Sequence, residues 1–302
     1  MDNSRRWHQV NVAFPDWTRA EPTVLARLAP QLSAAEAEGL IDAWFFIRKR
    51  PCWRVRYLPD ADADVDAKAQ ARIEQHLGEL TASEHIGGWT RAVYEPEVHA
   101  FGGARAMTAA HRLFHRDSRS LLAYLQGESG AAPGHRREIS VMLCSILMRT
   151  AGQDWYEHGD VWARVAAHRE PPAGHDQTVP GTFQAAVRRL MTVDAESQMR
   201  ADAPLAHAAG WADAYAAAGR ELAGLAADGL LHRGLRDVLA HHVIFAWNRL
   251  GLPYAVQAVL ADTAKTVVFG PDPATPRAME GRQWAAQKTG QHPALPSRGF
   301  RW

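Results

Sequence analysis

The sequence predicts an α+β protein, with an N-terminal, mainly antiparallel sheet packed by helices and then a larger helical part. Three observations lead there. Short runs rich in β-branched and aromatic residues are confined to the first hundred residues. Two of those runs, Ala43–Arg50 and Trp53–Leu58, flank Pro51-Cys52 and so predict a hairpin. Beyond Gly103 the apolar spacing turns helical almost without interruption.

Taken in order, Val10–Phe14 alternates with polar positions and predicts the first strand. Residues 20–39 predict a helix, with Ser33 as an N-cap and Glu36 at capping-box spacing. After the hairpin, Asp64–Leu80 reads as helix and Thr90–Phe101 as strand. Pro96 has no N–H to donate, so that strand belongs at an edge or carries a bulge. Helices follow at about 103–125, 136–151, 154–169, 182–200, 205–228, 233–250 and 253–262. The Pro/Gly-rich stretch Glu170–Gly181 predicts a linker or lid loop. Residues 1–269 are expected to form one domain, sheet-rich over 1–102 and helical over 103–269. The five prolines beyond Gly270 predict an irregular arm over 270–302.

With 302 residues, 47% hydrophobic and 22% charged, the chain has ordinary globular composition. A formal net charge of +1 gives no global field for nucleic acid. Two cysteines, Cys52 and Cys144, are too few for a disulfide framework and fit a reducing compartment. No apolar h-region follows Arg5 and Arg6, and no run approaches membrane-spanning length. A cytoplasmic protein without membrane contact is expected.

Several groups carry potential chemistry. Arg54 and Arg56 leave the same face of a strand, with Trp53, Val55 and Tyr57 on the other. Such a pair is either a solvated face or a grip for an anion, since Arg holds carboxylates bidentately. Glu95, Glu97 and His99 would share a strand face by the same parity. A carboxylate beside an imidazole sets the ring's tautomer and raises its basicity, although carboxylates on an edge strand also deter edge pairing. Arg105, Arg112, Arg116 and Arg119 span about 60° of a helix, either as an outer face or as a basic wall for an acidic leader peptide or partner subunit. His111 and His115 have the spacing of helical zinc ligands, but Arg112 stands where zinc proteases carry Glu and no third ligand is evident. They are expected to pack half-buried against the sheet, with no metal. His241 with Asn248, and His242 with Arg249, lie seven apart on a helix. They offer a further base or a brace between helices. No phosphate loop or nucleophile elbow is present, and no cofactor is expected.

As a motif, Tyr94-Glu95-Pro96-Glu97 with Phe101-Gly102-Gly103 and then His111, Phe114, His115, Asp117 and Ser118 resembles the C-terminal elimination domain of lantibiotic dehydratases. The stand-alone form of that domain is the thiopeptide-type bacteriocin biosynthesis protein. Further matching segments are Trp44-Phe45-Phe46-Ile47-Arg48, Arg54-Val55-Arg56, Arg137-Glu138-Ile139-Ser140, Glu157-His158-Gly159-Asp160-Val161-Trp162 and Asn248-Arg249-Leu250-Gly251. They run in family order from about residue 7 to 255.

In full-length members one domain esterifies Ser and Thr of a precursor peptide with glutamate from glutamyl-tRNA, and the elimination domain expels that glutamate. The resemblance therefore implies removal of glutamate to leave dehydroalanine or dehydrobutyrine, with the precursor peptide and a separate glutamylating protein as partners. A homodimer is left open. By the resemblance Arg54 and Arg56 would hold glutamate, and Glu97 and His99 would supply acid/base or orienting roles. His241 or His242 would be the distal base, and Arg48, Tyr94, Arg105, Asn248 and Arg249 would contact substrate. Two departures stand out: Ala100 where the motif usually has Arg, and Ile244 where it often has His. They keep open a pyridine-forming [4+2] aza-cycloaddition of dehydroalanines, or a non-catalytic peptide-binding subunit.

Overall fold

The structure, a computed structural model, describes residues 6–127, 134–170, 179–194 and 208–270. Four strands form one antiparallel sheet: β1 (His8–Ala13), β2 (Ile41–Lys49), β3 (Cys52–Pro59) and β4 (Gly88–Val93), in the order β2-β3-β1-β4. β2 and β3 are the expected hairpin. Gln9 lies opposite Arg56 and Asn11 opposite Arg54, while Phe45 and Ile47 meet the same two arginines from β2. The other face presents Val10, Val12, Trp44, Phe46, Trp53, Val55 and Tyr57 to the main core. This is the parity that Arg54 and Arg56 were expected to have.

Between β1 and β2 runs one helical passage: α1 (Trp17–Thr23), a π-helical turn (Val24–Leu28) and α2 (Ala29–Ala37). Its start is set by Asp16, whose carboxylate accepts the Thr18 N–H at 2.8 Å. Ser33 is therefore inside α2 rather than an N-cap. Pro22 and Pro30 flank the wide turn, and each removes a donor from the helical ladder. Glu36 serves tertiary structure instead of a capping box, accepting from Trp44 Nε1 at 2.9 Å and Arg119 Nη1 at 2.7 Å.

After β3 comes α3 (Ala63–Ala82), capped by Asp62, then the edge strand β4. β4 ends at Val93, eight residues before Phe101, the expected end. Pro96 cannot donate to a ladder, and turn hydrogen bonds take over from it: Phe101 N–H to Glu97 O at 3.0 Å and Gly103 N–H to Val98 O at 2.8 Å. Glu95, Glu97 and His99 are thus not on a strand, and period-2 parity does not relate them. Gly102 and Gly103 close the turn at φ of +89° and +111°. A Cβ on Gly102 would come 2.6 Å from Leu231 Cδ1, the movable end of a side chain, so the positive φ more than space calls for glycine here.

The helical part comprises α4 (Ala104–Gln126), α5 (Arg136–Thr150), α6 (Trp155–Ala167), α7 (Gly181–Thr192), α8 (Ala209–Ala227), α9 (Leu235–Leu250) and α10 (Tyr254–Phe269). The last helix continues past its expected end at 262. The expected tail of the helix at 182–200, most of the Glu170–Gly181 loop and the arm beyond Gly270 lie outside the described residues.

α4 covers the outer edge of β2: Trp44 N–H reaches His115 Nδ1 at 3.1 Å and Phe46 N–H reaches Ser118 Oγ at 3.4 Å. Its arginines face outward, and Arg112 and Arg119 pair with Glu221 and Glu36. α4, α8 and α9 are tied by Asp117, which is fully buried. Its carboxylate accepts from Trp211 Nε1 at 2.6 Å, Tyr215 OH at 2.9 Å and Arg249 Nε. Among the described residues no helix is long and apolar enough to cross a membrane.

Candidate functional site

The polar face of the sheet, the Tyr94–Phe101 turn and the first half of α9 converge on one site. Arg56 is only 8% exposed. Its Nε donates to Gln9 Oε1 at 2.7 Å, and its guanidinium lies 4.3 Å from the Tyr94 ring centroid and 5.2 Å from that of Phe45. Burial pushes its pKa down to about 10, helped by the neighbouring charge of Arg54, and it remains cationic at neutral pH. Arg54 is half-buried on the same face.

Glu97 enters from the turn and accepts from His241 Nε2 at 2.8 Å. That hydrogen bond holds its carboxyl below the usual carboxylate range, with burial opposing and the charges of His241, Arg56 and Lys49 assisting. An ionised Glu97 only accepts, so Nε2 carries the proton. In the neutral ring Nδ1 is left with a free lone pair. The His241 ring packs against Phe101 and Phe245 at 4.8 and 5.0 Å between centroids.

A second polar pair stands on the other side of Arg56. Tyr94 OH and His111 Nε2 are 2.9 Å apart, and Trp7 covers the His111 ring at 4.7 Å. Burial and the Arg56 charge press His111 down to about 4, keeping the imidazole neutral. Burial raises the Tyr94 phenol to about 12. A cationic, aromatic-walled face next to a carboxylate-oriented imidazole suits an anionic substrate group and a proton transfer.

Arg54, Arg56, Tyr94, Glu97 and His241 are the expected residues that gather here. Others do not. His99 is exposed on the turn and makes no side-chain hydrogen bond among the described residues. His242, next in sequence to His241, points into the core, 2% exposed, with both ring nitrogens unpartnered and its pKa pushed down by burial to about 3. Arg48 belongs to the opposite face of the sheet, in register with Trp53, and pairs with Glu21. Arg249 is the buried brace to Asp117, and Asn248 Oδ1 accepts from Gln257 Nε2 at 3.4 Å. Arg105 is exposed in the first turn of α4.

Trp7, Gln9 and His111 join the site without having been singled out for it; His111 was expected only to pack on the sheet. Gln9 shares its strand parity with Asn11, which is the signal that could have found it. At position 100 the Ala carbonyl oxygen accepts from Arg233 Nη1 at 3.0 Å. A guanidinium is thus present beside the residue where the motif usually carries one, supplied from far along the chain. His111 and His115 turn to separate partners, Tyr94 and the Trp44 backbone. Among the described residues no three His, Cys, Asp or Glu side chains are grouped as metal ligands would be.

The family model described as lantibiotic biosynthesis dehydratase C-term matches residues 7–268. The chain belongs to this family. No curated protein matches it significantly. Among solved structures it is similar to MibB, a tRNA-dependent lantibiotic dehydratase from Microbispora sp. 107891. The TM-score is 0.64 at 18% identity, over 89% of this chain and 28% of that one. The chain therefore spans little more than a quarter of that dehydratase. It is also similar to the pyridine synthase TbtD from thiomuracin biosynthesis (TM-score 0.58, 15% identity, 88% of this chain and 99% of that one). A third similar structure is TsrL (TM-score 0.55, 16% identity, 88% and 99%). At these identities the structural likeness establishes a shared fold, common to a dehydratase and a pyridine synthase.

Proposed function

We propose that this protein removes glutamate from glutamylated Ser and Thr residues of a ribosomally made precursor peptide, acting with a separate glutamylating protein. The observation that carries this reading is the Glu97–His241 pair at 2.8 Å beside the buried Arg56. Glu97 fixes the ring so that Nδ1 of neutral His241 can take the Cα proton of the esterified residue. The electron pair left at Cα runs to the amide carbonyl as an enolate, where a guanidinium stabilises the developing charge. As the enolate collapses, the Cα=Cβ double bond forms, the Cβ–O bond breaks and glutamate departs as a carboxylate. Arg54 and Arg56 would grip its carboxylates, and Arg233 would supply cationic character near Ala100. The rings of Tyr94 and Phe45 limit water around Arg56 and strengthen its interactions.

The test is to present a pre-glutamylated precursor peptide and follow loss of glutamate by mass spectrometry. Arg56→Lys keeps the charge but not the bidentate fork, and is expected to lower the rate by about 100-fold. A wild-type protein that binds the peptide and never releases glutamate overturns the reading. A second reading, aza-cycloaddition of two dehydroalanines, is favoured by Ala100 and Ile244 at positions elimination normally uses, and by similarity across 99% of a pyridine synthase. Supplying a peptide that already carries dehydroalanines separates the two.

A further inference from the structure

Through the β2–β3 hairpin from Glu97 lies a cleft of about 360 Å³, bounded by α1, the hairpin turn and the α9–α10 junction. Trp17, Trp53, Tyr254 and Leu252 give it aromatic and apolar walls. Arg48 lines it with a side chain only 8% exposed and a guanidinium 4.4 Å from the Trp53 ring centroid. Glu21 takes one of its nitrogens, Nη1, while Nε and Nη2 have no partner. Buried guanidinium donors left unpaired favour an incoming acceptor. Arg50, exposed at the turn, lies 5.3 Å from the Trp17 ring centroid and has no carboxylate partner among the described residues. The N-terminus of the 16-residue α10 also opens here, at Pro253 and Tyr254. Against these positive groups stands the carboxylate of Glu21, already shared between Arg48 and Arg136.

The balance of charge selects an anion, and the walls select an apolar neighbour to it. We propose that this cleft docks an acidic residue of the peptide substrate, its carboxylate on Arg48 and Arg50 and an adjacent apolar side chain against Trp17, Trp53 and Tyr254. The inference rests on the reading that the substrate is a peptide. It also sets a distance. His241 in the site and Asn248 in the cleft are seven residues apart on α9, roughly 10 Å along the axis. An extended chain covers about 3.3 Å per residue, so the docked acid lies at least about three residues from the reacting one. The hairpin turn joins the two places: the charge of Lys49 acts on Glu97, while Arg48 and Arg50 line the cleft.

The experiment uses a fluorescein-labelled, end-blocked 12-residue peptide with Phe-Glu placed four residues from a Ser, and its Gln counterpart, with fluorescence anisotropy as readout. The Glu peptide is expected to bind about tenfold more tightly, the worth of one charge-assisted contact. Arg50→Glu, an exposed change whose folding is checked by thermal melting, should abolish that preference, and Arg54→Gln should leave it. Equal binding of the two peptides overturns the proposal. So does a preference lost in Arg54→Gln but kept in Arg50→Glu, because the acid would then sit beside Arg56. Glutamate release from a pre-glutamylated peptide, measured alongside, keeps the questions apart. Preference without release leaves the cleft and removes elimination; release without preference does the reverse.

Discussion

α9 carries two side-chain pairs two turns apart, an ion pair and a histidine–carboxylate hydrogen bond, and water treats them in opposite ways. Arg249 and Asp117 meet with both side chains 0% exposed. The Asp117 oxygens are taken up by Trp211, Tyr215 and Arg249, and the Arg249 guanidinium rests 4.5 Å from the Phe114 ring centroid. His241 and Glu97 meet at the rim, with side chains 19% and 53% exposed. The buried pair has no room for a substrate and ties three helices together. The outer pair uses one carboxylate oxygen and one ring nitrogen, and Glu97 is close enough to Arg56 to feel its charge. Depth, more than residue type, divides the brace from the candidate machinery.

Asp117 should show the largest effect. Asp117→Ala leaves the Arg249 charge and two buried donors without an acceptor, which should cost about 3–5 kcal/mol in chemical denaturation. A loss below about 1 kcal/mol would remove Arg249–Asp117 as a brace. The outer pair should behave in reverse. Glu97→Gln is expected to change stability by less than about 1 kcal/mol while slowing glutamate release by about 100-fold or more, since the ring loses its orienting carboxylate. Unfolding and product formation measured on the same preparation decide this.

The smallest effect sharpens how depth acts on neighbouring histidines. His242 is pushed down to about 3, so it stays neutral in the folded protein while an unfolded histidine protonates near about 6.5. Between these values the unfolded chain binds more protons. The contribution is therefore fully present above about pH 6.5 and is lost as pH falls toward 3. Replacing His242 by Gln should reduce the pH slope of stability by about 1 kcal/mol per pH unit. Urea melts between pH 4.5 and 6.5 keep most carboxyl titration out of the window. An unchanged slope would mean that His242 is not held neutral. His111 and His158, each pressed down mainly by burial to about 4, add to the same acid sensitivity and survive the substitution.

What the sequence made legible is what short-range geometry controls. Strand parity put Arg54 and Arg56 on one face, and β-rich runs around Pro51-Cys52 marked the hairpin. The strand expected through Glu97 failed because Pro96 and the Gly102–Gly103 turn outweigh the β-forming residues near them. Ser33 failed as a cap because Asp16 had already started the helix and the π turn carried it onward. Arg233 near Ala100 was invisible for another reason: the contact joins residues 133 apart. His241 and His242 were equal candidates in sequence. Only packing turned one toward Glu97 and the other against Phe101 and Phe114.

One consequence of α9 concerns chain length. Its residues serve three places at once: His241 the site, Arg249 the core and Asn248 the cleft beyond the hairpin. Exchanging a side chain, as at Ile244, alters one of these and leaves the others in place. Adding or deleting a single residue between His241 and Asn248 would rotate everything after it by about 100° and shift it by about 1.5 Å. Arg249 would swing away from Asp117, and Asn248 would leave the cleft. This stretch can therefore vary by substitution but hardly by insertion, because what it has to preserve is phase.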